Sequence, residues 1–185
     1  MMRFNVFFRG LVATLIFGGA VWAMAGEGAF HSGTIIKDFG KIADVETDFP
    51  IPQDTKFNIV FDTAKPAKPG AVNRTFDSAA RFINMHAAAG VDPIDIKIAI
   101  VIHGKAGLDL TQDAFYATKQ GEPKNKSAEL IKVLQEHGVR FILCGQSAAY
   151  YDIDKSVMLP GTEMALSAMT AHALLQQRGY TLNPF

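Results

Sequence analysis

The chain has a single cysteine, Cys144, in the run Leu143-Cys144-Gly145-Gln146-Ser147, and a histidine, His103, in His103-Gly104-Lys105. Each closes a run of apolar residues and each is followed at once by glycine. A thiol reacts as its thiolate, and backbone N–H groups at the start of a helix carry a partial positive charge that favours that form. The small and polar residues 146–149 can begin a helical turn, which predicts Cys144 at such a start. Gly145 allows close approach to the backbone, and Gln146 and Ser147 can donate hydrogen bonds to a bound sulfur anion. His103, with an unperturbed pKa of about 6.5, can accept a proton or supply a local positive charge. The predicted site therefore has Cys144 and His103 as reacting groups and Gly104, Gly145, Gln146 and Ser147 as substrate-binding residues. Plainer roles stay open: a small buried hydrophobe for Cys144, helix capping for Gln146 and Ser147, and a loop carbonyl partner for His103.

Other chemistries find no pattern. His103-Gly104-Lys105 resembles a phosphate loop but lacks the Gly-x-x-x-x-Gly-Lys-Ser/Thr spacing, and no Gly-x-Gly-x-x-Gly follows a strand. No His/Cys spacing suits zinc, since His31, His86, His137 and His172 are scattered over an arm and three helices, so no metal and no cofactor are expected. Asp109 and Asp113 read as loop and cap residues, and no Gly-x-Ser-x-Gly elbow supports a hydrolase.

The elements that must position Cys144 and His103 alternate along the chain. Residues 57–62 form a short β-rich run. Residues 73–90 carry Phe76, Ala79, Ala80, Ile83 and Ala87 at helical spacing, with Asn73 or Thr75 to cap the start and Gly90 to stop it. Residues 94–103 are almost continuously apolar, as a strand covered on both faces requires. A helix over 125–138 places Leu130, Ile131 and Leu134 on one stripe, and a strand over 139–143 runs into Cys144. Residues 157–159 read as a short strand, Thr162 as the cap of a helix reaching Gly179, and residues 180–185 as an edge strand. The fold expected is α/β, a three-layer sandwich with a mostly parallel sheet of about five strands. Ligands bind beyond the carboxyl ends of such strands, where both His103 and Cys144 fall.

The beginning of the chain reads differently. Arg3 and Arg9 lead into a charge-free apolar run over 11–23 that ends in Ala23-Met24-Ala25, the layout of an export signal cut before Gly26. The run is shorter than the roughly 20 apolar residues of a spanning helix. Residues 26–53, broken by Gly33, Gly40, Pro50 and Pro52, read as an irregular arm lying over one domain at 54–185. Without Arg3 and Arg9, sixteen basic residues face eighteen acidic ones. A weakly negative domain without basic clusters excludes nucleic acid as a partner, and the export signal predicts the periplasm or the outside of the cell. One cysteine in an oxidising compartment allows no intramolecular disulfide.

The segment Val139-Arg140-Phe141-Ile142-Leu143-Cys144-Gly145-Gln146-Ser147 and the residues on to Ile153 resemble the strand, cysteine and helix of the DsrE/DsrF-like sulfur-relay family. The stretches 98–110, 130–139 and 159–180 match in the same order, so the resemblance covers about 56–185. It implies a flavodoxin-like parallel sheet, homo-oligomers such as trimers or hexamers, and a cysteine that carries sulfur as a persulfide, a position on which Cys144 falls. Tyr150-Tyr151-Asp152 departs from the basic-and-glycine helix end usual in that family, as does the export signal. The expected partners are small sulfur species or a thiol-bearing protein. Two alternatives remain: an oligomeric module of the same fold that binds a small anion or a protein segment without catalysis, and a peroxide-sensing thiol.

Overall fold

The computed structural model describes residues 26–184; the export signal read over 1–25 lies outside the described residues. Five strands, β1 Phe57–Thr63, β2 Ile96–Ile102, β3 Arg140–Cys144, β4 Glu163–Ala165 and β5 Thr181–Asn183, pair in the order β4-β3-β2-β1-β5. Every pairing is parallel. Between them run α1 Arg74–Ala88, α2 Asp113–Gln120, α3 Ser127–Glu136, α4 Gly145–Tyr150 and α5 Ala168–Gln177.

Crossover handedness explains the layers. Connections that step from β1 towards β4 travel one way across the sheet, and right-handedness sends them to one face. The return from β4 to β5 travels the other way and sends α5 to the opposite face. The first face buries Ile59, Phe61, Ile98, Ile100, Phe141 and Leu143 against Phe76, Ala79 and Ile83 of α1 and Leu130, Ile131 and Leu134 of α3. The second face buries only Val60, Ala99, Val101 and Ile142 against Ala171 and Leu175 of α5. Each such fully buried aliphatic or aromatic side chain contributes on the order of 1.5–3 kcal/mol, so the first face carries most of the stability.

Helix ends follow the chemistry of their caps. The Asn73 side chain accepts from Thr75 N–H at the start of α1, and Gly90 follows its end with φ +92°. Three expectations are corrected. Residues 157–159 do not join the sheet: Lys155–Val157 is a 3-10 turn and Met158 makes only an isolated antiparallel bridge to Thr111. The strand beside β3 is instead Glu163–Ala165, held by a bidentate ion pair from Arg140 to Glu163 at 2.8 and 2.7 Å, while β5 forms the opposite edge within the stretch 180–185 as expected. The last helix accordingly starts at Ala168, capped by Ser167, whose Oγ accepts from Thr170 N–H at 3.0 Å; the Thr162 hydroxyl instead donates to Leu159 C=O within a turn. In addition α2 occupies a stretch to which the sequence reading assigns no element, ending at Gly121 in the left-handed conformation.

The arm is strapped to α1, on the layer opposite α5. The buried Asn84 amide accepts from Ile36 N–H and donates to the carbonyls of Ile36, Phe39 and Gly40. Asp77 accepts from Gly40 N–H at 2.8 Å and Arg81 donates to Lys41 C=O.

Candidate functional site

Side chains alternate between the two faces of a strand, and this brings the site together. Val60 and Ile142 point to the α5 face, so Asp62, two residues along β1, and Cys144, two along β3, point there as well. His103 extends the Ala99-Val101 series on β2, one step beyond the Ile102↔Leu143 pair, and its N–H donates to Thr63 C=O. The chain leaves β4 at this same edge and enters α5, so the start of α5 lies beside Cys144.

Cys144 is the last residue of β3 and the N-cap of α4, and it is 6% exposed. Burial pushes its thiol pKa up, but hydrogen bonds from the Ser147 hydroxyl and from the backbone N–H groups of Ser147, Ala168 and Gln146 outweigh this and hold it below the ordinary cysteine value. Those donors come from the first turns of two helices, α4 and α5. The Ser147 Oγ is itself fixed, accepting from Gly104 N–H at 2.8 Å, which leaves its proton for the sulfur.

The predicted binding residues fall at the site with different tasks. Gly145 is a steric requirement, because a Cβ there would lie 2.7 Å from Ala165 O and 3.2 Å from Leu166 O. Gly104 has φ +53°, a conformation that glycine adopts without strain, and offers its N–H to Ser147. Gln146 turns its amide to Leu166 C=O at 3.2 Å and so ties the end of β3 to the entry of α5. His103 is not satisfied by a loop carbonyl: its Nε2 lies 3.0 Å from Asp62 Oδ2.

Two residues come to the site that the sequence did not point to. Asp62 bridges His103 and His172, with Oδ1 2.7 Å from His172 Nε2. In the sequence His172 reads as one of several scattered histidines. Its signal was its place on the buried stripe of α5, next to Ala171 and three residues before Leu175. The signal for Asp62 was the period-two alternation from Val60. Cys144, Ser147, His103, Asp62, His172 and Met169 line one open cavity of about 370 Å³. Among the described residues no group of three or more His, Cys, Asp or Glu side chains is arranged to hold a metal ion.

A parallel α/β sandwich with one cysteine at the carboxyl tip of β3, under the starts of two helices, is the class of molecule these features define. The chain belongs to the DsrE/DsrF-like family, whose model matches residues 55–184. Among solved structures, it is similar to MTH1491 from Methanobacterium thermoautotrophicum, a protein of unknown function, at 16% identity over 70% of this chain and 100% of that one, with a TM-score of 0.49. It is also similar to the YchN protein of E. coli at 15% identity, over 70% of this chain and 99% of that one, again with a TM-score of 0.49. No curated protein matches the chain.

Proposed function

We propose that the protein accepts sulfane sulfur on Cys144 and passes it on as a cysteine persulfide, outside the cytoplasm and after removal of residues 1–25. The observation that carries this reading is the thiol itself, which the Ser147 hydroxyl and three backbone N–H groups draw towards the thiolate while it faces a cavity. The Cys144 thiolate attacks the sulfane sulfur of a persulfide, polysulfide or thiosulfate. The donor's S–S bond breaks, its electron pair leaves on the thiolate or sulfite, and a new S–S bond forms at Sγ. Attack by an acceptor thiolate on the outer sulfur then returns the Cys144 thiolate. The N–H groups that favour the thiolate also favour a persulfide anion at the same place, since both are anionic sulfur at the start of two helices. This chemistry uses neither a metal nor an organic cofactor.

Exposed apolar side chains beside the cavity, Leu166 at 73% and Met169 at 79%, favour a docked protein surface over a site serving free small molecules alone. A thiol-bearing protein or a second copy of the chain, within a trimer or hexamer, fits that rim. Intact mass spectrometry after incubation with polysulfide tests the loading step: a gain of about 32 Da is expected, removable by reductant and absent in Cys144→Ser. Equal gain by the Ser variant overturns the assignment.

A further inference from the structure

We infer that Asp62, His103 and His172 form one proton-handling unit for transfer at Cys144, in which His103 moves the proton and Asp62, braced by His172, is a positioning residue. The inference rests on the sulfur-transfer reading above and adds the residues that serve it.

Three separate elements converge to make this unit: Asp62 from β1, His103 from the end of β2 and His172 from α5. Asp62 gives one carboxylate oxygen to each ring, 3.0 Å to His103 Nε2 and 2.7 Å to His172 Nε2. A carboxylate held by both oxygens cannot turn without breaking one of these bonds, so its plane, and with it the His103 ring, is fixed. With Nε2–H committed to Asp62 in each ring, the proton-accepting lone pair of a neutral imidazole is on Nδ1. The His103 side chain is 35% exposed and that of His172 is 19%, which makes His103 the ring an incoming donor meets. All three residues line the cavity that holds Cys144, and among the described residues no lysine or arginine does. A base, and a third group orienting that base, beside a nucleophile is the arrangement by which nucleophilic sites manage protons.

Sulfur transfer gives such a unit a definite task. An organic hydropersulfide R–S–S–H carries its proton on the sulfur that is transferred, while the departing R–S⁻ needs a proton. His103 accepts the proton from the transferred sulfur and delivers it to the leaving one. The balanced step is Cys144–S⁻ + R–S–S–H → Cys144–S–S⁻ + R–S–H, with no net oxidation. Thiosulfate releases sulfite and needs no such delivery.

Loading rates from glutathione persulfide and from thiosulfate, compared in His103→Gln, Asp62→Asn and the unmutated protein, test the unit. The ratio of the persulfide rate to the thiosulfate rate is expected to fall about 10²-fold in His103→Gln, and by at least about tenfold in Asp62→Asn. Circular dichroism on the same samples confirms folding; His103→Gln, at a half-buried ring, is the variant that keeps the test valid if Asp62→Asn does not fold. Equal losses with both donors, leaving the ratio unchanged, overturn the unit while sparing Cys144. Failure of the unmutated protein to load from either donor removes the sulfur-transfer reading and this inference with it.

Discussion

At Cys144, the balance between burial and hydrogen bonding decides the chemistry. A cysteine only 6% exposed and surrounded by apolar groups would keep its proton and act as packing. Here burial does push the thiol up, and the Ser147 hydroxyl and the N–H groups of Ser147, Ala168 and Gln146 more than reverse it. Because the thiolate is the reactive form, the rate of alkylation by iodoacetamide should rise with pH to a midpoint below that of an ordinary free cysteine. Ser147→Ala removes the side-chain donor and should move that midpoint upward, slowing alkylation at neutral pH. A profile unchanged by the substitution would mean that the hydroxyl does not reach the sulfur. Asp62 and His172 are marked in sequence only by periodicity, one two residues after Val60 and the other beside Ala171, and they meet only because β1 and α5 share a face.

At the scale of elements, the junction between β3 and α4 presses against the junction between β4 and α5. Gly145 is the contact point, with space for no Cβ between its Cα and the carbonyls of Ala165 and Leu166. Gly145→Ala should therefore part the two helix starts that serve Cys144, costing about 1–3 kcal/mol in a denaturant titration and raising the thiol pKa. Unchanged stability would place the strand ends further apart than the structure has them. The strands and helices around this junction were legible to different degrees. β1, β2 and β3 announce themselves as apolar runs, and α1 and α3 as stripes with caps, because the first face of the sheet buries large side chains throughout. The edge was harder. Glu163–Ala165 is three residues long, half exposed and held by the Arg140–Glu163 ion pair, so no apolar run marks it. Val157, Met158 and Leu159 form such a run but pack against the core from a turn. Of the site, Cys144, His103 and the glycines were readable because they end apolar runs, whereas the tasks of Gln146 and Ser147 depend on Leu166 and Gly104, which the fold supplies from elsewhere.

At the scale of the whole molecule, the direction of the crossovers leaves α5 alone on its face of the sheet among the described residues, and that asymmetry has two consequences. The opening over Cys144 lies beside α5, whose outer side carries Met169 and Leu174 in solvent, with Leu166 just before it. The arm, tied to α1 through Asn84, Asp77 and Arg81, lies on the other layer and leaves that opening clear. Sedimentation should accordingly show an oligomer, and Met169→Lys should shift it towards smaller species; a monomer at every concentration would contradict the proposed interface. The central claim, that Cys144 carries sulfur from one thiol to another, is tested most directly by a chase. The protein is loaded with polysulfide, freed of excess donor and mixed with an acceptor thiol, and the intact mass is followed with time. The account predicts that the added mass of about 32 Da leaves Cys144 as a persulfide appears on the acceptor in equal amount. Sulfur that stays on the protein, or that is lost without reaching the acceptor, would contradict it.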